Sequence, residues 1–265
     1  MKLIKFIFFY FFLTSIYGQP NIKNQLFIEN GFDDIQLDIH GFLYQVKGDA
    51  LVKRDLSGKE IYRYSNKLLG DIAQLDVSNP LRPLLFYKDQ GVIAVLDNTL
   101  SQQKQIISLN EIGLYQANSV ANSNFDNGIW LFDVDVNEIL KINANAAVTY
   151  RSGNLAVILP DITSPVIALY EKNKLLYAVT NEEVFVLDQF GALLKILKIK
   201  ATNGFIENEG VIYCFDNEFL KAHEIMNFYT DTIFQTNKYQ FIRGNSEYII
   251  GLLKDKKHLD FIEIH

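Results

Sequence analysis

Short stretches in which apolar and polar residues alternate recur along most of the chain. The stretches are rich in Val, Ile, Tyr and Phe, and Gly, Asn and Asp interrupt them. Alternation with a period of two places apolar side chains on one face of a β-strand. No stretch after residue 18 carries the 3.6-residue period of an amphipathic helix. The pattern therefore predicts an all-β protein.

A longer pattern recurs six times along the chain. In each copy a strand with apolar alternate residues runs into a polar residue that opens a turn, as in LVKRDLSGKEI at 51–61 and VFVLDQFGALLKI at 184–196. The six turn-opening positions are Asp55, Asp97, Asn143, Asp188, His223 and Glu263. They lie 35 to 46 residues apart, close to the roughly 40–45 residues of a four-stranded repeat.

Earlier strands complete each copy. A second apolar strand precedes the turn segment, for example GFLYQV at 41–46, and in most copies an inner strand comes before it, for example DIQLDI at 34–39. A four-stranded antiparallel sheet cannot bury both of its faces alone, and radial stacking of such sheets solves this. Each copy is therefore predicted to be one sheet of a ring.

Units such as KLLYAVTNEEVFVLDQFGALLKIL resemble blades of the β-propeller superfamily and are similar to quinoprotein-like and NHL-like blades. The resemblance covers nearly the whole chain after residue 18. The Gly-His and Trp-Asp signatures of WD repeats are missing, and Trp130 is the only tryptophan. The resemblance thus implies a fold, without implying a functional residue.

The two ends of the chain favour a closed ring. The sequence stops after the third strand of the sixth unit, and QLFIE at 25–29 is a lone strand ahead of the first unit. If this strand pairs with the last unit, it covers an edge that would otherwise invite aggregation. We predict a single β-propeller domain over 19–265 with six blades, closed by the strand at 25–29. Seven blades are the alternative.

The first eighteen residues have the parts of a secretory signal peptide. Lys2 and Lys5 form a positive start, an apolar run covers 6–13, and Ser15 and Gly18 precede the expected cleavage point. The apolar run is far shorter than the roughly 20 residues of a membrane span. We expect an exported protein of the periplasm or cell envelope, or alternatively a secreted one. The Phe-rich leader followed by Gln, with abundant Asn, Ile and Lys, resembles exported Bacteroidetes proteins.

Charge and cysteine content exclude several classes of function. The net charge is −6 and the only compact basic run is KDKKH at 254–258, which argues against nucleic acid and anionic membranes as partners. Cys214 is the sole cysteine, so the chain cannot form an intramolecular disulfide and must rely on an apolar core.

The candidate chemical motifs are weak. SGKE at 57–60 lacks the spacing of a phosphate loop and places Glu60 where phosphate would be repelled, so a hairpin turn is expected. DVDVNE at 133–138 begins like a calcium loop, but Glu138 and Ala144 stand where an EF-hand needs Gly and Glu. We expect a strand end and a turn with exposed carboxylates there. The four histidines share no metal-binding spacing, although a zinc site between blades stays open as an alternative. We assign no catalytic, cofactor-binding or metal-binding residue.

Two long connections are the most informative functional feature. Residues 77–83 and 119–128 both follow the inner strand of consecutive units, so they should lie side by side on one face. We expect them to form an epitope for other envelope proteins that includes Arg82 and Phe125.

The expected function is a non-catalytic scaffold or accessory subunit of an envelope assembly, such as the type IX secretion or gliding machinery of Bacteroidetes. Association with the membrane would be peripheral, through a membrane-protein partner. A hydrolase or lyase acting on glycans in the channel, and a sensor of small ligands or metals, are the alternatives.

Overall fold

The protein is a ring of six four-stranded antiparallel sheets, as a computed structural model shows. The structure describes residues 18–103, 106–158, 164–227 and 229–263. Residues 1–17 of the predicted signal peptide lie outside the described residues. Within the described part of the chain, no helix is long and apolar enough to span a membrane. The prediction of an all-β chain with six blades is confirmed.

Each blade runs from an inner to an outer strand. The strands in chain order are β1 (Asn21–Phe27), then blade 1 with β2 (Asp34–Leu37), β3 (Leu43–Lys47), β4 (Ala50–Arg54) and β5 (Glu60–Ser65); blade 2 with β6 (Gln74–Asp76), β7 (Leu84–Tyr87), β8 (Val92–Val95) and β9 (Ile107–Ser108); blade 3 with β10 (Ala117–Asn122), β11 (Ile129–Asp133), β12 (Glu138–Ile142) and β13 (Val148–Asn154); blade 4 with β14 (Ala168–Lys172), β15 (Leu175–Val179), β16 (Val184–Asp188) and β17 (Leu193–Leu197); blade 5 with β18 (Gly204–Asn208), β19 (Val211–Phe215), β20 (Phe219–Glu224) and β21 (Thr230–Gln235); and blade 6 with β22 (Tyr239–Gly244), β23 (Ile249–Leu253) and β24 (His258–Glu263). Short helical segments at Lys67–Leu69, Lys88–Gln90, Asn110–Ile112 and Leu155–Ile158 lie between strands.

The core is divided into six apolar clusters, one between each pair of neighbouring blades. Strand β7 shows how one strand serves two of them. Leu85 and Tyr87 pack towards blade 1, whereas Leu84 and Phe86 pack towards blade 3. Both faces of a middle strand are thus buried, which is why these strands are nearly continuous in apolar residues. Ring stacking, rather than one central core, accounts for the burial.

The N-terminal strand closes the ring, as predicted. Strand β1 pairs antiparallel with β24 from Asn21↔Glu263 to Phe27↔His258 and becomes the outer strand of blade 6. The strand begins four residues before the predicted 25–29 segment and ends at Phe27. Its pairing is reinforced by Asp260, a fully buried residue of β24 whose Oδ1 accepts a hydrogen bond from Gln25 Nε2 at 2.7 Å.

Four of the six predicted turn positions form the same hairpin between the third and fourth strands. The side-chain Oδ1 of each accepts backbone N–H groups two and four residues later, at 2.8–3.0 Å. The residue three positions on has a positive φ, between 61° and 87°. These openers are Asp55, Asp97, Asn143 and Asp188. The SGKE segment is therefore a hairpin turn, in which Asp and Asn supply turn chemistry.

Of the other two turn positions, His223 is wrong and Glu263 is not tested. His223 is a buried residue inside β20, paired with Thr230 on the outer strand, and the connection follows at 225–229. Glu263 is the last residue of β24, opposite Asn21, and the residues after it lie outside the described part of the chain. Neither residue is Asp or Asn, so neither can make the side-chain bonds that open the hairpin in the other four blades.

Candidate functional site

The two long connections lie next to each other on one face of the ring. All connections from inner to second strand, and all from third to fourth strand, emerge on this face because the sheets are antiparallel; we call it the loop face. The connections of blades 2 and 3 occupy 77–83 and 123–128, and we call them the paired loops. The second is shorter than the predicted 119–128 because β10 continues to Asn122. The predicted adjacency is confirmed by direct contacts between them.

Arg82 ties the paired loops together. Its Nη1 donates to Asn122 Oδ1 at 2.6 Å and to the Gly128 carbonyl at 3.1 Å, while Asn122 Nδ2 donates to the Arg82 carbonyl at 3.2 Å. Asn124 Nδ2 adds a bond to Ser78 Oγ at 3.1 Å. The Arg82 guanidinium is thus half-buried and holds the loops to each other.

Blade 4 also holds the second of the paired loops in place. Glu171, a buried residue of β14, accepts the backbone N–H of Asn124 at 2.7 Å and Trp130 Nε1 at 2.6 Å. Carboxylate hydrogen bonds of this kind are among the strong ones. Glu171 was missed from the sequence, where its only signal is an acid near the end of a short strand. The loop is consequently attached to two blades.

Lys141 supplies the third anchor of this loop. The ammonium is buried, lies 2.8 Å from Asp126 Oδ2 and sits 4.7 Å from the Trp130 ring centroid. Burial acts to raise the pKa of Asp126, but hydrogen bonds from Lys141, Ser123 and the backbone, with the lysine charge, hold it below its usual value. The loop is thus a fixed part of the ring.

The paired loops present apolar side chains to solvent. Leu81 is 66 % exposed and Phe125 is 48 % exposed. The Phe125 ring centroid also lies 5.7 Å from Lys174 Nζ. Large apolar side chains on a fixed frame are typical of interaction surfaces. Of the two residues expected in the epitope, Phe125 is exposed and Arg82 is half-buried between the loops; the epitope itself stays a prediction.

A groove of about 790 Å³ lies outside the paired loops, between blades 2 and 3. Its floor is apolar and includes Val95, Ile107 and Ile112, while Ala144 and Ala146 form one wall. Amide side chains, with Arg82 and Glu111, line its rim; the amides are Asn79, Gln103, Asn127 and Asn145. A volume of this size is in the range of small-molecule and peptide sites, roughly 300–1,000 Å³.

The central channel holds a second cavity of about 560 Å³, lined by inner strands of all six blades. Its polar side chains mostly join one blade to the next. Arg243 Nε lies 3.2 Å from Asp34 Oδ1, and Asn245 Nδ2 donates to the Asp38 carbonyl at 2.7 Å. Gln74 binds the Val120 backbone through both of its amide atoms. These groups stabilise the ring, and buried polar groups need such partners.

The suspected calcium segment forms a hairpin between β11 and β12. Asp133 is buried and its Oδ1 accepts the Asp135 backbone N–H at 3.0 Å, whereas Asp135 is exposed. The expectation of exposed carboxylates is thus confirmed for Asp135 and wrong for Asp133 and Glu138, which are buried. Among the described residues, no three His, Cys, Asp or Glu side chains are grouped as metal ligands.

The histidines and the cysteine are dispersed. His40 is exposed in the turn after β2, His258 begins β24 with its Nδ1 2.5 Å from Asp255 Oδ2, and His223 is buried in β20. None of these three lines the channel, and His265 lies outside the described residues. Burial raises the pKa of the Cys214 thiol to about 12, so this thiol is protonated near neutral pH and is not a nucleophile.

No known family model matches the chain, and no curated protein matches it. Solved structures match its fold. The catalytically inactive histidine-to-alanine virginiamycin B lyase from Staphylococcus aureus with quinupristin has a TM-score of 0.61 at 14 % identity, covering 91 % of this chain and 99 % of that one. A chain of the mitotic checkpoint complex has a TM-score of 0.62 at 12 % identity, covering 90 % and 76 %.

BamB from Moraxella catarrhalis has a TM-score of 0.52 at 10 % identity, covering 93 % of this chain and 74 % of that one. Identities this low show the fold alone. The ring and its neighbours define the class: this chain is a six-bladed β-propeller.

Proposed function

We propose that this protein is a non-catalytic interaction scaffold that binds other envelope proteins through the paired loops. The observation that carries the proposal is the construction of these loops. Arg82, Glu171 and Lys141 hold their backbone to three blades, yet Leu81 and Phe125 point outwards. A preformed surface binds with a smaller loss of conformational entropy.

The channel supports the same proposal. Its acidic and basic side chains are largely engaged within the ring, as in the Arg243–Asp34 pair and the Glu171–Trp130 hydrogen bond. The virginiamycin B lyase neighbour is described as catalytically inactive once a histidine is replaced by alanine. The three described histidines of this chain lie away from the channel. This contrast favours a scaffold over the alternative of a lyase or hydrolase.

The neighbours are consistent with binding roles. One of them is a component of a multiprotein complex, the mitotic checkpoint complex. The proposed location is the periplasm or cell envelope, on the basis of the leader at 1–18. The proposed context is an envelope assembly of the type IX secretion or gliding kind, to which the chain would attach through a membrane-protein partner.

Native purification with point variants tests the proposal. We expect the tagged chain to recover a defined partner from the membrane fraction of its host, and Phe125→Asp to reduce recovery at least ten-fold. Leu68→Asp is the matched control, because Leu68 is 92 % exposed on the opposite face. The proposal would be contradicted if the wild-type chain recovered no stoichiometric partner. It would also be contradicted if Phe125→Asp recovered as much partner as the wild type.

A further inference from the structure

The central channel contains a tyrosine hydroxyl that the ring does not use. Most polar side chains of the channel join one blade to the next, but Tyr170 of blade 4 lines the cavity, and its hydroxyl makes no hydrogen bond within the described part of the chain. The Tyr170 ring is held in place because it stacks on Phe205 of blade 5, with centroids 4.8 Å apart and planes 14° apart. A tyrosine hydroxyl inside a protein usually has a partner. The fold therefore holds a fixed, unpaired donor and acceptor in the channel.

Arg243 of blade 6 is a second group whose hydrogen bonds are incomplete. Its Nε lies 3.2 Å from Asp34 Oδ1, yet the N–H is not aimed at that oxygen, and neither atom has a hydrogen bond within the described residues. Nη1 donates to the backbone carbonyls of Ile242 at 3.2 Å and Asn203 at 3.4 Å. The side chains of Arg243 and Asp34 keep 17 % and 26 % of their surface exposed, and both line the cavity. A ligand in the cavity can therefore contact the guanidinium and the carboxylate together.

These groups converge on one part of the channel. Burial raises the pKa of the Tyr170 phenol, and the positive charge of Arg243 acts to lower it. The negative charges of Asp34 and Asp76 act to raise it. Charges have such effects only on neighbouring groups, so the hydroxyl from blade 4 lies near charged side chains of blades 6, 1 and 2. Asn118 of blade 3 lines the same cavity. Polar groups from five blades therefore surround one space.

We propose that the channel binds a small neutral molecule rich in hydroxyl groups, of the sugar class. This inference goes beyond the proposed function and does not depend on it. A hydroxyl group both donates and accepts hydrogen bonds, so one molecule can accept from Arg243, donate to Asp34 and pair with Tyr170. Four acidic and three basic side chains line the cavity. An ion of either sign would therefore meet like charges, which is costly, and the lining selects a neutral ligand.

The rest of the lining fits a molecule of this class. The cavity of about 560 Å³ falls within the roughly 300–1,000 Å³ of small-molecule sites. Leu37, Leu75 and Ile206 line it beside the polar groups and can contact the C–H face of a sugar ring. Gln36 offers its carbonyl oxygen to the cavity, because its Nε2 is bonded to Asp34 Oδ2 at 2.7 Å. The cavity thus combines apolar contact with a few fixed polar groups, as small-molecule sites do.

Calorimetric titration of the full chain with defined probes tests the inference. The neutral probes are D-glucose, D-galactose, D-mannose and maltose, and the charged counterparts are the phosphate esters and amino derivatives of the same sugars. We expect at least one neutral probe to bind with a Kd of about 1 mM or lower, and its charged counterparts to bind at least ten-fold more weakly. If the channel holds water only, no neutral probe will saturate, and the inference is overturned. Charged counterparts that bind as tightly as the neutral probe would overturn it as well.

Tyr170→Phe separates ligand binding from ring stability. The substitution removes one hydroxyl and keeps the aromatic ring that stacks on Phe205. Because the hydroxyl makes no bond within the described ring, the urea midpoint should stay at the wild-type value, while the Kd of the bound probe should rise about ten-fold through the loss of one hydrogen bond. Tyr115→Phe is the matched control and should bind like the wild type, because Tyr115 is 68 % exposed on the opposite face.

Two results with Tyr170→Phe would overturn the inference. One is an unchanged Kd for the probe, and the other is a lower urea midpoint, which would show that the hydroxyl serves the ring instead of a ligand. The outcome is also independent of the scaffold. If no sugar binds while Phe125→Asp still loses the native partner, the scaffold stands and the channel site fails.

Discussion

Replacing Asp260 by alanine should destabilise the ring at its closure. The fully buried carboxylate accepts Gln25 Nε2 and Lys238 Nζ at 2.7 Å and Tyr239 Oη at 2.8 Å. Burial and the hydrogen bond to Asp260 raise the pKa of the Tyr239 phenol, so this group stays protonated and donates. Asp260 thus joins β1, β22 and β24 at one point.

The expected loss follows from these contacts. Removing one partner of a buried ion pair costs about 3–5 kcal/mol. Lys238 is one-third exposed and regains water in the variant, so we expect the lower end, about 3 kcal/mol. Gln25→Ala removes one hydrogen bond to a charged group and should cost about 1.5 kcal/mol. Against a total stability of about 5–15 kcal/mol, both effects are measurable.

Urea unfolding of the wild type and the variants measures these values. We expect the midpoint to fall in the order Gln25→Ala, then Asp260→Ala, with little change in the slope. Asp231→Ala in the outer strand β21 is the matched control, because Asp231 is exposed. A free energy of unfolding for Asp260→Ala within 1 kcal/mol of the wild type, given about 3 expected, would refute this account of the closure.

Two other predictions concern a buried histidine and a crowded glycine. Burial and the nearby charge of Lys195 lower the pKa of His223 from its usual 6.5. The unfolded chain therefore binds a proton at this residue more readily than the folded chain. Because of this, the stability falls as the pH drops below about 6.5. The difference between the urea midpoints at pH 8 and pH 5 should be smaller in His223→Gln than in the wild type. If the two proteins show the same difference, His223 is not the cause of the pH dependence. Gly191→Ala should lose about 3 kcal/mol through strain and its clash with Tyr150. Gly113→Ala, with a similar φ and open space, should lose only about 1 kcal/mol in thermal unfolding.

The architecture was predictable because its signals are local. Four hairpins are each opened by the side chain of one turn residue, namely Asp55, Asp97, Asn143 and Asp188. The repeat is therefore encoded by residues that are close together in the sequence. Where that chemistry is absent, at His223, the predicted turn was wrong. The pairing of β1 was predictable because only three strands of its partner blade could be identified in the sequence.

The site was only partly predictable because its contacts are distant in sequence. The adjacency of the paired loops follows from blade order. The bond from Arg82 to Asn122 spans 40 residues, and that from Trp130 to Glu171 spans 41. No periodicity encodes which side chain of one blade meets the next.

Ring closure by β1 also decides how the molecule responds to force. Asn21 lies opposite Glu263, so the start of β1 and the end of β24 lie at the same end of the strand pair. Pulling the ends apart loads one pair of backbone hydrogen bonds at a time, and the strands separate like a zipper instead of shearing together. A translocase or protease that pulls on either end meets the outermost strand pair of blade 6 first. The contact that completes the ring at equilibrium is therefore the first to bear load under tension.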